Sequence, residues 1–310
     1  MGWAMDEREL TRRFFGEPAD DPAAKARARD LLEGRIGGGR RRTPLAVAAA
    51  LVVAILGTSL IWSATRPDTA AAKALGDLAA IQPNGLEPGA GEYLYRMSSE
   101  LRTETSTVLG AGTYRIQVVL SIEQWIAADG SGERRSVVEG VGFATEADEE
   151  AWSEPGAPTL PRVGDVRADT FGLGEGPYVA AAEIPLGADP LLSALRSGRI
   201  MANGGSEADV FRAIGDLLAQ GRLPRATRAA LLEAASQLEG IQLIGPVSDA
   251  TGRPGEGFSV RTDNLETRLI FDPETGQLLA RESLMPDADG AWRLVDREAF
   301  TSVEIVSEIG

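Results

Sequence analysis

The sequence has no cysteine and no histidine among its 310 residues. These absences exclude a disulfide, a zinc site with thiolate or imidazole ligands, a thiol nucleophile and an imidazole base. They also exclude a lipoprotein anchor, because that anchor requires a cysteine. Lys73 is the only lysine after the first 42 residues, so almost no lysine is available to activate a serine nucleophile. We therefore predict a protein that is not an enzyme and that uses no metal and no other cofactor.

Basic residues are also few, and they are unevenly distributed. The chain has 46 acidic and 31 basic side chains, a net charge of −15. Residues 1–42 carry a net charge of +2, whereas the remainder carries −17. So acidic a remainder repels nucleic acid and anionic lipid headgroups. We therefore expect no nucleic-acid partner.

One long apolar run stands out from this charged background. No charged side chain occurs from Thr43 to Thr65, and the part from Leu45 to Trp62 is almost wholly apolar. A helix of about 20 residues, rising about 1.5 Å per residue, spans the roughly 30 Å hydrocarbon core of a bilayer. Trp62 falls where an interfacial aromatic anchor is expected. A cleaved signal peptide is the weaker alternative, because 42 residues precede the run. We predict one transmembrane helix at 43–65.

The charges beside this run predict its orientation. Arg40, Arg41 and Arg42 precede it, whereas Arg66 and Asp68 nearly cancel on the other side. Positively charged flanks remain in the cytoplasm. We therefore predict a single-pass protein of the cytoplasmic membrane, with residues 1–42 in the cytoplasm and its C-terminal domain extracytoplasmic.

The tail at 1–42 has short helical patterns but too few residues for a large core. One interpretation is a solvated leader whose arginines only fix the topology. The other is a docking segment for a cytoplasmic regulatory protein, with four apolar anchors. These anchors are Phe14, Phe15, Leu31 and Leu32.

The remainder alternates helical and strand patterns. An alanine-rich stem helix and a Pro/Gly linker are expected at 66–90, followed by an extracytoplasmic domain at 91–310. Antiparallel hairpins with grouped helices predict an α+β fold, a curved antiparallel sheet packed with helices. The predicted strands are 92–101, 114–126, 133–143, 241–247, 257–261, 267–271, 277–283 and one or two within 292–306. The predicted helices are 189–196, a capping-box helix from Ser206 to 221, and 224–240.

An acidic, proline-rich excursion is expected at 146–170. Its carboxylates at 146–154 could bind a hard cation such as calcium. However, calcium loops need a glycine among their ligands for a sharp turn, and this segment has none. A solvated acidic loop is the favoured interpretation, and the cation remains the alternative. Trp125, beside a predicted turn, is expected to pack on a sheet face rather than to bind a sugar.

Several segments of the chain together resemble an uncharacterised family of actinobacterial single-pass membrane proteins, often encoded beside extracytoplasmic-function sigma factors. The matching segments are Asp21–Ala24 with the arginines that follow, the apolar run, 123–126 with 129–132, 211–218, 238–247, Asp249, Gly252–Arg253 and 270–276. The resemblance covers most of the chain, and its last segment is the most specific. It implies a regulatory or sensing role through gene context.

Two functional hypotheses follow. In the first, the extracytoplasmic domain senses or binds an unknown ligand, and the tail passes the signal to a cytoplasmic regulatory protein. In the second, the outer domain is a tethered binding or carrier module whose curved sheet holds an apolar ligand, and the tail is inert.

Overall fold

A computed structural model of the chain describes residues 69–108, 112–153, 159–172, 179–201, 205–287 and 289–310. The predicted tail and transmembrane helix lie outside the described residues, as do the residues singled out in them. These residues are Phe14, Phe15, Leu31, Leu32, Leu45 and Trp62. Within the described ranges, no helix combines the length and apolarity needed to cross a bilayer.

Nine strands in the described ranges form one antiparallel sheet. They are β1 Tyr93–Val108, β2 Gly112–Ala127, β3 Gly132–Phe143, β4 Val166–Phe171, β5 Gln242–Ser248, β6 Pro254–Arg261, β7 Glu266–Phe271, β8 Leu278–Pro286 and β9 Trp292–Val306. Their spatial order is β4-β3-β2-β1-β9-β8-β7-β6-β5. Each half of the sheet is thus a simple meander, and the pairing of β1 with β9 joins the halves. The sheet is open and curved, which confirms the predicted α+β class.

Five α-helices accompany the sheet in the described ranges. They are α1 Thr69–Ala80, α2 Glu146–Trp152, α3 Ala188–Arg196, α4 Glu207–Leu218 and α5 Arg225–Ala235. The capping box predicted before α4 is present: Ser206 accepts from the backbone N–H of Asp209, whose carboxylate accepts from the backbone N–H of Ser206. We call the side of the sheet that α4 covers the inner face.

The main core lies between α4 and the β6–β7–β8 part of the inner face. Phe211, Phe258 and Phe271 are fully buried there. Alanine-rich α1 belongs to the same core, because Leu75 and Leu78 are buried against α5 and β5. Burial of this apolar surface is the main source of stability in the domain.

A second, smaller core lies at the other end of the sheet. Tyr114, Ile116 and Val118 alternate along β2, and they pack with Val138 of β3 and with α2. Trp152 at the end of α2 contacts Phe143, with ring centroids 5.5 Å apart. The two cores leave a stretch of the inner face between them that apolar side chains do not fill.

The largest differences between the structure and the sequence prediction are at two places. Strand β1 runs seven residues beyond the predicted end at 101, because its Ser- and Thr-rich continuation pairs with β2 as far as Val108↔Gly112. The excursion at 146–170 contains α2 and the edge strand β4. Thr145 caps α2, and backbone pairing with β3 holds β4 although its side chains are mostly exposed. Neither element has the apolar periodicity on which the sequence prediction depended.

Candidate functional site

Charged side chains occupy the inner face between the two cores. Successive residues of a strand point to opposite faces, so Arg96, Ser98, Glu100 and Arg102 share the inner face of β1. The register pairs Glu100 with Glu298 of β9, and Arg102 with Asp296. Two neighbouring strands therefore place basic and acidic groups side by side, opposite the C-terminal end of α4.

A cavity of about 320 Å³ lies between this charged stretch and α4. We call it the polar cavity. It is lined by Arg96, Glu100, Arg102, Ile122, Gln124, Arg134, Met201, Asp216, Ala219, Gln220, Arg281 and Glu298. Four arginines and three carboxylates give this lining a net charge of +1. Its volume falls in the range of small-molecule sites, although its lining is far more polar than most.

Glu298 is the centre of the cavity floor. Its Oε1 accepts a hydrogen bond from Ser98 Oγ at 2.9 Å, and its Oε2 accepts one from Arg281 Nη2 at 3.1 Å. Arg96 Nη2 lies 3.6 Å from Oε1. Only about a tenth of the Arg96 and Glu298 side chains is exposed, so water screens this pair weakly. The floor is thus a desolvated ion network.

The same network fastens α4 to the sheet. Arg281 pairs with Asp216 of α4 as well as with Glu298. Arg96 Nη1 donates to the carbonyl of Ala219, the C-cap of α4, at 2.6 Å. Cations near a helix C-terminus also stabilise its dipole. The walls of the polar cavity are therefore held at fixed positions by charged groups on β1, β8 and β9.

The mouth of the polar cavity is more accessible. Arg102 Nη2 lies 2.6 Å from Glu100 Oε1, and Arg134 Nη2 lies 3.6 Å from Glu100 Oε2. The side chains of Arg102 and Arg134 are 42% and 37% exposed. The cavity thus has a buried floor and, at its mouth, two half-exposed arginines that an entering solute would meet first.

Unsatisfied polar atoms are concentrated in the polar cavity. Six buried side-chain nitrogen and oxygen atoms of the described residues have no hydrogen-bond partner, and five belong to residues that line this cavity. The five atoms are Arg96 Nε, Gln124 Oε1, Arg134 Nε, Gln220 Nε2 and Arg281 Nε. A buried atom of this kind costs about 1–3 kcal/mol when nothing bonds to it. This clustering makes the polar cavity the candidate functional site of the described residues.

Asp296 of β9 lies on the same face and gives the site a pH dependence. Burial raises its pKa, as do Glu100 and Glu298, whereas Arg281 and Arg102 lower it. Because the folded pKa exceeds the unfolded value, the folded state binds more protons, and stability falls as pH rises through that window. The charged form of Asp296 is thus a cost at neutral pH.

We expect Asp296→Asn to raise the free energy of unfolding at pH 7, because the neutral amide removes that cost. Near pH 4, where the unfolded carboxyl itself takes up protons, the gain should vanish. Urea unfolding of both proteins from pH 4 to 8 measures the difference, with Asp263→Asn on an exposed loop as the control. A gain that is equal at both ends of this range would contradict the assignment.

The carboxylates of the acidic segment at 146–154 are not all exposed to solvent, because Asp148 is buried. Its carboxylate accepts from the backbone N–H of Arg115 at 2.8 Å and from Thr145 Oγ1 at 2.5 Å. Burial raises the pKa of Asp148, but hydrogen bonds from Thr145 and Arg115 outweigh it, and the pKa is lowered. Glu154 lies outside the described residues. In the described part of the chain, no three potential ligand side chains gather closely enough to hold a metal ion.

Trp125 packs rather than lining a binding surface. It is 4% exposed, and its ring centroid lies 5.4 Å from that of Tyr95 on the outer face. The turn beside it forms a hairpin between β2 and β3, where Gly130 has a φ of +89°. This geometry favours the packing role over a sugar platform.

The sequence analysis missed the residues of the polar cavity. The available signal was the polar alternation of β1, in which the face opposite Tyr93, Tyr95 and Met97 carries arginine and glutamate. Alternation alone predicts that such a face is solvent-exposed. Pairing with β9, about 200 residues later, turns it into a cavity lining instead.

Comparisons with known proteins find only distant likenesses. The sequence matches no family model and no curated protein significantly. Three solved structures cover 76–77% of this chain: MucB alone, MucB in complex with MucA(peri), and the Pseudomonas aeruginosa MucA/MucB complex. Identities are 14%, 15% and 17%, with TM-scores of 0.29, 0.30 and 0.27. The chain spans only 57–60% of their length. Likenesses this weak carry no functional argument.

Proposed function

We propose that this protein is a single-pass membrane regulator whose extracytoplasmic domain binds a solute and whose cytoplasmic tail passes the signal to a regulatory protein, in a pathway associated with a sigma factor. The single observation that carries the binding role is the polar cavity, with five unpartnered buried polar atoms. A buried polar atom that no protein group satisfies calls for another partner, and a guest in the cavity would supply one.

The membrane and signalling parts of the proposal rest on the sequence. The apolar run at 43–65 and the arginines before it support one span with the tail inside. The apolar anchors in the tail support docking of a cytoplasmic protein, and the family resemblance supports a sigma-factor connection. The missing histidine and cysteine support a binding role over catalysis.

The alternative, a carrier for an apolar ligand, has less support. The space between the helices and the β6–β8 part of the sheet is filled by the main core. The cavity beside it is lined by seven charged side chains, which an apolar guest would desolvate without replacing any hydrogen bond.

Two variants of the full-length chain in its native host test the proposal. In the first, Phe14, Phe15, Leu31 and Leu32 are replaced by serine, which removes the anchors but keeps the arginines that set topology. In the second, Arg134→Met alters the cavity mouth. The tail variant should abolish the transcriptional response seen with the wild type, and Arg134→Met should weaken it. Arg135→Met, at the neighbouring position on the opposite face, should preserve it.

Topology is measured in the same strains with a C-terminal reporter enzyme that is active only outside the cytoplasm. An inactive reporter would overturn the membrane part of the proposal. A normal response from the tail variant would overturn the signalling part and leave an inert tail.

A further inference from the structure

We infer that the polar cavity binds a small hydroxylated carboxylate as a monoanion. This inference rests on the proposed binding role and names the chemical class of its ligand. Residues of α4 and of strands β1, β2, β3, β8 and β9 line the cavity. Their net charge, their unpartnered polar atoms and the volume that they enclose are the three observations on which the assignment depends.

The first argument is the kind of unpartnered atom. Arg96, Arg134 and Arg281 each hold a buried Nε–H that has no acceptor within the described ranges. An arginine Nε is always a donor, so a guest that reaches these atoms must offer them acceptor oxygens. The amides of Gln124 and Gln220 each add one unpartnered atom, and amides serve hydroxyl groups in either orientation. The guest is therefore rich in acceptor oxygens and also carries hydroxyls.

The second argument is charge. The carboxylates of the lining are already engaged: Glu298 by Ser98 and Arg281, Asp216 by Arg281, and Glu100 by Arg102. With four arginines against three carboxylates, the lining carries one excess positive charge, and the half-exposed Arg102 and Arg134 present it to the mouth. A positively charged lining attracts an anion and repels a cation. A single carboxylate on the guest balances the excess, whereas an amine would add to it.

The third argument is size. A volume of about 320 Å³ corresponds to roughly ten water molecules at about 30 Å³ each, more than a bare inorganic anion fills. The half-exposed Arg134 at the mouth gives an anion an attractive entry point. A sugar acid has the charge, the hydroxyls and the bulk that this space accommodates.

Isothermal titration calorimetry of the full-length chain in detergent tests the inference with three probes that share one ring. Galacturonate is an anion, galactose is neutral and galactosamine is a cation. We expect galacturonate to bind at least about tenfold more tightly than either of the others, because hydrogen bonds to a charged group are about twice as strong as neutral ones.

Two matched pairs of variants locate the binding. Arg134→Met and Arg135→Met change adjacent residues of β3 that face opposite sides and pair with glutamates at similar distances, 3.6 and 3.8 Å. Gln124→Met and Gln117→Met change two glutamines of β2 whose side chains also lie on opposite faces of the sheet. We expect Arg134→Met to weaken galacturonate binding about tenfold and Gln124→Met about threefold, with both outer-face controls within twofold of wild type. Urea unfolding of each variant shows whether it remains folded.

Each outcome decides the inference. Preference for galactosamine or galactose would overturn the anion assignment and leave the proposed binding role standing. Absence of binding by galacturonate, or equal weakening by Arg134→Met and Arg135→Met, would overturn the assignment of this ligand to this cavity. Failure of the proposed function is read separately, from the reporter topology and the transcriptional response of the tail variant.

Discussion

Replacement of Glu298 by alanine is expected to lower the free energy of unfolding by about 3–5 kcal/mol, because it takes the carboxylate partner from the buried guanidinium of Arg96. Glu298 is 8% exposed and lies against Arg96 and Arg281. Removing its carboxylate also takes the acceptor from Ser98. Arg281 would keep its ion pair with Asp216 of α4 but lose the one with Glu298.

Urea unfolding of the full-length chain, followed by tryptophan fluorescence, measures this effect. Glu104→Ala is the matched control: Glu104 is also a carboxylate on the inner face, but it is 48% exposed and lies 3.9 Å from Arg102. Exposed pairs of this kind contribute only about 0–1 kcal/mol. If Glu298→Ala and Glu104→Ala unfold at the same urea concentration, the buried network does not hold α4 to the sheet.

Local features of the fold could be predicted from sequence because their causes are local. The capping box at Ser206 and the stripe of Phe211 and Ile214 lie within one helix, and both are observed. The turn at Gly130 likewise needs only its own residues and its two flanking strands. Helix periodicity and turn chemistry act over a few residues, which is the distance over which a sequence pattern is informative.

The edge strand β4 could not be predicted from a local sequence pattern. Its residues carry little apolar alternation, so only backbone pairing with β3 makes the segment a strand. Similarly, the alanine-rich pattern predicts α1, but its burial against α5 and β5 depends on chain segments about 150 residues away. Tertiary pairing decides both features, and no window of sequence contains it.

The polar cavity also depends on tertiary pairing, here between segments about 200 residues apart in sequence. Ser98 and Glu298 are 200 positions apart, yet their hydrogen bond forms its floor. Arginines and glutamates in a strand predict an exposed face, and only the observed register shows that they face α4. The long-range pairing of β1 with β9 therefore creates the candidate site, and composition only showed that histidine and cysteine chemistry would be absent from it.

Replacement of Asp249 by alanine should also destabilise the protein by about 3–5 kcal/mol, because it removes a buried charge partner together with several hydrogen-bond acceptors. The Asp249 side chain is 0% exposed. It accepts from the backbone N–H groups of Thr251 and Arg253, at 2.9 Å each, and from Arg253 Nε at 2.7 Å. Arg253 in turn donates to the carbonyls of Leu279 and Phe300.

This connection ties the β5–β6 turn to β8 and β9, and β9 also carries Glu298. Asp272→Ala is the control, because Asp272 accepts turn N–H groups from Glu274 and Thr275 in the same way but at an exposed turn without an arginine partner. We expect that control to cost about 1 kcal/mol.

Asp249→Asn separates charge from shape in this turn. The amide keeps one acceptor oxygen for the turn N–H groups but cannot pair with the Arg253 guanidinium, so we expect an intermediate loss of stability. If Asp249→Asn equals wild type, the turn needs only an acceptor, and Arg253 holds β8 and β9 through their carbonyls alone. If it equals Asp249→Ala, the ion pair with Arg253 dominates, and the turn depends on a buried charge to hold β8 and β9, which lie about 30 and 50 residues further along the chain.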